Sequence, residues 1–148
     1  MLSKKGKYGL KAAIHLAGLP GGQSAQVADI ADTNRIPKKF LDAILGELRN
    51  GGFLRSKKGK GGGYMLARPA DTIRVGDLIR VLDGPLAPFP CASRTRYIPC
   101  DDCNVDRCAV RLMMVEVRDA IAKVLDHRTL AEMRELGHDA LESFVYHI

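Results

Sequence analysis

The chain has 148 residues, 46% of them hydrophobic, which excludes an unfolded chain and allows one domain with a core, or a small domain with a dimerisation appendage. No apolar run nears the roughly 20 residues that span a bilayer, and Lys11 and His15 interrupt the stretch after the basic N-terminus, so neither a membrane span nor a signal peptide is expected and the chain is assigned to the cytoplasm. The formal charge of +6 is uneven, with +9 on residues 1–70 and −3 on residues 71–148, so only the first half suits a polyanion.

Residues 4–18 have the spacing of a helix. Leu10, Ala13, Ile14 and Ala17 share one face, Tyr8 and Leu16 widen it, and Gly18-Leu-Pro20-Gly-Gly stops it. His15, beside the apolar side, reads as a packed or half-exposed histidine and not as a ligand. Residues 27–33 form a short second helix, and Asn34-Arg-Ile-Pro37 forms a turn. Pro37 suits the first position of a third helix that runs to about Asn50, where Gly51-Gly52 ends it. Phe40, Leu41, Ile44, Leu45 and Leu48 make its apolar stripe. Two helices on a tight turn, the second amphipathic, predict a helix-turn-helix.

The outward face of that helix carries Lys38, Lys39, Asp42, Ala43, Gly46 and Arg49. Lysines suit phosphates, Asp42 suits a cytosine amino group, and Ala43 and Gly46 leave room for close approach. Alone, such a face reads as a solvated surface before a DNA-contacting one. Gly46 in mid-helix costs about 1 kcal/mol against alanine and suggests a close-packing reason.

Residues 53–66 tip the balance. Two strand-like pieces, 53–56 and 64–66, flank a glycine-rich tip, and residues 48–70 hold six basic side chains and no acidic one. Gly61-Gly62-Gly63 lacks the spacing and the Lys-Ser/Thr pair of a nucleotide phosphate loop. A basic hairpin directly after a helix-turn-helix is a wing. The DNA-contacting set is therefore Lys38, Lys39, Asp42 and Arg49 of the helix, with Arg55, Lys57, Lys58, Lys60, Gly61, Gly62 and Tyr64 of the wing.

Residues 77–82 form a further short helix with Val75, Leu78, Ile79 and Leu82 inward, and Asp83-Gly84-Pro85 breaks it. A Pro-bounded loop follows with every thiol of the chain in the pattern Cys91-x8-Cys100-x2-Cys103-x4-Cys108. Clustered thiols in a cytosolic chain point to metal binding or thiol chemistry before a structural disulfide. Four thiolates suit zinc or an iron–sulfur centre equally, and Arg94, Arg96 and Arg107 nearby also allow a thiol switch. Asp101, Asp102 and Asp106 read as solvated loop charges. No thioredoxin-like placement, triad or nucleotide fingerprint suggests an enzyme.

Beyond Cys108, Val110, Met114, Val117, Ile121 and Val124 recur at spacings of 4, 3, 4 and 3, with Leu125 extending the stripe. Little chain remains to cover this seam, so a partner's identical helix is expected there. Residues 134–148 are undecided between a further helix and a frayed end.

Ser3-Lys-Lys-Gly-Lys-Tyr-Gly-Leu-Lys-Ala, Val27-Ala-Asp-Ile-Ala, Phe40-Leu-Asp-Ala-Ile-Leu-Gly-Glu-Leu-Arg, Lys60-Gly-Gly-Gly-Tyr-Met-Leu and the cysteine cluster together resemble the IscR/NsrR/RirA/CymR regulators, the Rrf-two superfamily of bacterial winged-helix transcription factors. The resemblance covers about residues 1–133. It implies a homodimer on a double-stranded operator, with an iron–sulfur cluster held just before the long helix by members that have these cysteines. Operator binding would then follow iron–sulfur status, iron, nitric oxide or redox stress. Familiar members pair three cysteines with a fourth, non-cysteine ligand, at positions that here are Arg111, Lys7 or Lys11. Protonated Lys and Arg are poor ligands. The expected set is therefore Cys91, Cys100, Cys103 and Cys108, holding a [2Fe–2S] or [4Fe–4S] cluster, with zinc as the alternative. The cluster loop is expected near the first and third helices.

The expected architecture is mainly α with a small β-wing. It comprises a winged helix-turn-helix domain (1–83), a cysteine-rich loop (84–108), a dimerisation helix (109–127) and a C-terminal tail (128–148).

Overall fold

Ser3 caps the first helix by accepting a hydrogen bond from the Gly6 amide on its Oγ, 3.1 Å away. The computed structural model describes residues 2–146 and places six α-helices, two short 3-10 turns and one two-stranded sheet in them. The α-helices and strands are α1 (Lys4–Ala17), α2 (Val27–Asn34), α3 (Lys38–Asn50), β1 (Leu54–Lys57), β2 (Gly63–Leu66), α4 (Val75–Asp83), α5 (Ala109–Leu125) and α6 (Leu130–Tyr146). Met1, His147 and Ile148 lie outside the description.

The face of α1 differs from expectation. Gly6, Gly9, Ala12, Ala13 and Leu16 are buried, whereas Tyr8, Leu10, Ile14 and Ala17 are half-buried at the margin of the core. Small residues are the reason. A Cβ on Gly9 would overlap Leu82, and one on Gly6 would overlap Asp83, so α1 lies directly against α4. Ser3 fastens the same junction by donating from its amide to Asp83 Oδ2 at 2.8 Å and from its hydroxyl to Oδ1. A hydropathy pattern weights large side chains and passes over glycine.

Helices α2 and α3 form the helix-turn-helix. Arg35 closes α2 in the left-handed region at φ 54°, and Pro37 precedes α3 as its cap, one position earlier than expected. Leu41, Ile44, Leu45 and Leu48 are buried as predicted. Phe40 is not, with 62% of its surface exposed. His15 is half-buried, its Nδ1 3.2 Å from Asn34 Nδ2.

The wing pairs Leu54 with Leu66 through Lys57 with Gly63, one residue later at β1 and one earlier at β2 than the sequence suggested. Ala25, ahead of α2, exchanges both backbone hydrogen bonds with Tyr64 at 2.8 and 2.9 Å, which adds a rung to the sheet. Gly63 permits this at φ 144°, because a Cβ there would run into the Ala25 carbonyl.

Ile30, Leu41, Leu45, Leu48, Ile73, Leu78 and Leu130 fill the core. Leu130 belongs to α6, in the segment expected as a tail. Thr129 and Glu132 make a reciprocal capping box, Thr129 N to Glu132 Oε2 at 2.8 Å and Glu132 N to Thr129 Oγ1 at 3.2 Å. Backbone bonds from Leu130 N to Ile73 O and from Val75 N to Arg128 O stitch that corner to α4. The start of α6 is thus part of the core around which α1–α4 pack. By contrast, α5 buries no residue completely over about 25 Å of helix. Its C-terminal end is held by Arg80 of α4, whose two Nη atoms donate to Asp126 at 2.7 and 2.8 Å.

Candidate functional site

Along α3, Lys38, Lys39, Asp42, Ala43 and Arg49 are exposed, and nothing lies within 4 Å of where a Gly46 Cβ would stand. The close-packing reason expected for Gly46 is therefore absent inside the protomer. On the wing, Arg55, Lys57, Lys58, Lys60 and Gly61 are exposed. Among the described residues, none of these wing cations takes part in an ion pair within the chain. Gly62 and Tyr64 have different surroundings. Gly62 is buried, and a Cβ on it would strike the Lys57 and Gly59 carbonyls, so it builds the wing tip. Tyr64 is half-buried against the core. Ser24 Oγ donates to the Gly61 carbonyl at 2.8 Å and braces the tip. Phe40 and, in the turn, Arg35 are exposed on this surface too, although neither stands among the expected contacts.

The cysteines converge. Cys91 lies in a short 3-10 turn, Pro90–Ala92, and is buried, while Cys100, Cys103 and Cys108 are half-buried in the loop that follows. All four line one cavity of about 460 Å³, with Phe89, Ile98 and Val110 among its apolar walls and Asp102 and Arg111 at its polar side. Asp102 is exposed, as a solvated loop charge would be, but it also bears on a thiol. Here Cys100 Sγ donates to Asp102 Oδ1 at 2.8 Å, and the possible ligand atoms of Cys100, Asp102 and Cys103 lie within 4.8 Å of one another. That bond raises the Cys100 pKa, since ionisation would set a thiolate against a carboxylate. Cys103 is pushed up to about 12, first by its hydrogen bond with Cys100 and then by desolvation and by its bond with Cys108. Cys108 is lowered, chiefly by the Arg111 backbone amide at the start of α5. Three thiols thus share protons, and a soft cation replacing those protons would find thiolate donors already gathered.

Around Cys91 the loop rests on α5, while Pro85 and Pro88 at its start border the cavity that Leu10 of α1 also lines. Arg111 Nε donates to the Cys91 carbonyl at 2.8 Å, and Arg118 Nη1 donates to the Ala92 carbonyl at 2.6 Å. The two arginines are seven residues apart and so share a face of α5. Arg118 also holds Asp119, which Arg94 reaches from the loop at 3.1 Å, and these contacts lower the Asp119 pKa.

Of the expected seam, Val110, Val117 and Val124 are exposed, while Met114 and Ile121 are half-buried. Met113 and Leu112 join the exposed set. Ile121 and Val124 also border an apolar cavity of about 550 Å³ with Leu10, Ile79 and Leu136.

A helix-turn-helix followed by a basic hairpin, with a cysteine site on an adjoining helix, defines a winged-helix transcriptional regulator. The chain belongs to the Rrf2 family, described as iron-dependent transcriptional regulator, whose model matches residues 2–135. It is 38% identical over 144 residues to an rrf2-like HTH-type transcriptional regulator of Rhodobacter capsulatus, covering 95% of this chain and 96% of that one. Among solved structures, CymR, the global cysteine regulator of B. subtilis, superposes with a TM-score of 0.76 at 34% identity, covering 92% of this chain and 97% of its own. T. potens IscR gives 0.76 at 31% identity, covering 95% and 90%. The protein is a DNA-binding transcriptional regulator and not an enzyme. Among the described residues, no helix is long and apolar enough to cross a membrane.

Proposed function

We propose that this regulator binds its operator as a homodimer and that an iron–sulfur cluster on Cys91, Cys100, Cys103 and Cys108 controls the binding. The observation that carries the reading is the convergence of all four thiols on one cavity. Soft sulfur donors walled by apolar residues fit such a group. When bound, the cluster supplies an oxidant-sensitive junction between thiolates from distant parts of the loop. The chain's own residues do the rest. Arg111 and Arg118 hold Cys91 and Ala92 to α5, so the thiol at one end of the loop is fixed to the helix. Cys108 caps the N-terminus of the same helix, so both ends of the thiol loop are fixed to α5, and Cys100 and Cys103 lie between them. Arg80 and Asp126 join the other end of α5 to the DNA-binding unit.

On DNA, α3 enters the major groove, and Arg55, Lys57, Lys58 and Lys60 hold the backbone or the adjacent minor groove. Lys58→Ala then weakens binding to all sequences and lowers the salt slope by roughly one. Changes at Lys39 or Asp42 alter sequence preference more than general affinity.

Purification without oxygen tests the cluster. A brown protein with iron and acid-labile sulfide, whose operator affinity in gel shift changes on chelation, supports the reading. Equal affinity of loaded and chelated forms rejects control by the cluster. A zinc-held or thiol-switched regulator of the same fold is the second reading. It is favoured by the hydrogen bonds that Cys103 makes with both Cys100 and Cys108 and by the similarity to CymR, the global cysteine regulator of B. subtilis. One zinc per chain in a colourless protein supports the zinc form. A metal-free protein that loses two hydrogens in mass on oxidation supports the thiol form.

A further inference from the structure

Phe40 is out of place for a core residue. It lies in the first turn of α3 with 62% of its surface in solvent, while Leu41, Ile44, Leu45 and Leu48 of the same helix are buried. An exposed large aromatic is ordinary on a surface, but this one sits at the end of the recognition helix that meets base edges. Its sequence neighbours Lys38 and Lys39 are exposed cations, and Arg35 in the preceding turn is another. Ala43, one turn on and adjacent on the helix surface, is exposed and apolar. An apolar spot within a cationic field suits one feature of the major groove. The thymine C5-methyl is the only apolar group on a base edge there, and phosphates on either side suit the cations.

We infer that Phe40 is a specificity-determining residue that reads a thymine methyl in each operator half-site, with Ala43 completing the apolar contact. This rests on the DNA-binding reading above and adds a base that the charged face of α3 does not assign. Lys38, Lys39 and Arg35 hold the strand in register, and Phe40 excludes water from the methyl. Cytosine at the same position would present neither the methyl nor a carbonyl oxygen, only an amino group that Phe40 cannot accept from.

The full-length protein is used to select duplexes from a random library, and one selected duplex then serves as the probe. Each thymine is replaced in turn by uracil, which removes only the methyl. For the natural protein, one uracil per half-site weakens binding about fourfold, the size expected for one methyl-sized group returned to water. Phe40→Ala loses a similar factor on the thymine duplex and nothing more on the uracil duplex. The comparison on the natural protein needs no variant, and circular dichroism checks that Phe40→Ala stays folded. If no uracil substitution weakens binding, or if the natural protein and Phe40→Ala lose equally, Phe40 does not read a methyl. Failure to select any duplex would instead count against the DNA-binding reading itself.

Discussion

The winged-helix unit and helix α5 use their apolar residues in opposite ways. In the first, Ile30, Leu41, Leu45, Leu48 and Leu78 are wholly buried, and even glycines are consumed by packing. In the second, no residue is buried, and Val110, Leu112, Met113, Val117 and Val124 face solvent. The difference teaches where each half gets its stability. The reading unit completes its core within one chain. Helix α5 is held by a few polar ties, Arg80 to Asp126 at one end and Arg111 and Arg118 to the loop carbonyls near the other. Its exposed apolar face suits the homodimer proposed above. A regulator can exploit that contrast, because a rigid reader coupled to a weakly held helix can be repositioned without being unfolded.

The largest test sets one substitution in each half against the other. Leu41→Ala removes a fully buried side chain and should destabilise the chain by about 2–5 kcal/mol, seen as a lower urea midpoint. Val117→Asp should leave that midpoint of the reading unit nearly unchanged and convert a dimer to a monomer in analytical ultracentrifugation. Unfolding by Val117→Asp to the same degree as by Leu41→Ala would break the distinction between the halves.

A second test makes the same chemical change at two glycines. Gly9→Ala should destabilise by about 1–3 kcal/mol, since the new methyl meets Leu82 and approaches Ile44 within 3.3 Å. Gly46→Ala should stabilise the free protein by up to about 1 kcal/mol, because the site is open and helical. Thermal melting of the two variants reads both signs. If Gly46 is kept for close approach to DNA, the same variant binds operator more weakly.

Much of this was legible in the sequence. Charge, stop signals and the Pro37 and Gly51 punctuation marked α2, α3 and the wing to within a residue or two. The cysteines announced a site by proximity in sequence. What escaped depends on the third dimension. Gly6 and Gly9 carry no hydropathy signal, yet they set the α1–α4 contact. Phe40 fits the apolar stripe by period but lies at its edge, beyond the reach of the core. Met113 is exposed beside half-buried Met114, because one side of the helix leans on its own chain, which a heptad pattern does not register. Asp102 looked like any loop carboxylate until the loop turned it onto Cys100. The Thr129-x-x-Glu132 pattern is a readable helix start, and it brings Leu130, at the head of the expected tail, into the core.

That corner gives a third, smaller test, because it lies where the two halves join. Thr129→Ala removes half of the capping box and should cost about 1 kcal/mol. The loss should appear in the urea midpoint of the reading unit, since Leu130 next to it is wholly buried in that core. A loss confined to α6, with the rest of the chain melting as before, would assign α6 to the loosely held half.

The smallest effect concerns the tie itself. Arg80 hydrogen bonds hold the Asp126 carboxyl below its usual range, ahead of an opposing desolvation effect. Arg80 is correspondingly raised, so it stays charged at any working pH. With the folded pKa of Asp126 depressed, the unfolded chain binds the proton more readily. The pair's contribution is therefore complete above the ordinary carboxylate value near 4 and is lost as pH falls through the depressed folded value. Both side chains are about a third exposed, at 33% and 35%, so solvent screening keeps the contribution below about 1 kcal/mol. Urea unfolding at neutral pH should find Asp126→Asn slightly less stable than the natural protein, and the gap should close in acid. A gap that is the same at both pH values would mean that Asp126 acts by shape and not by charge. It would then be packing against Gly76, where a Cβ would overlap the carboxylate, that sets how α5 meets α4.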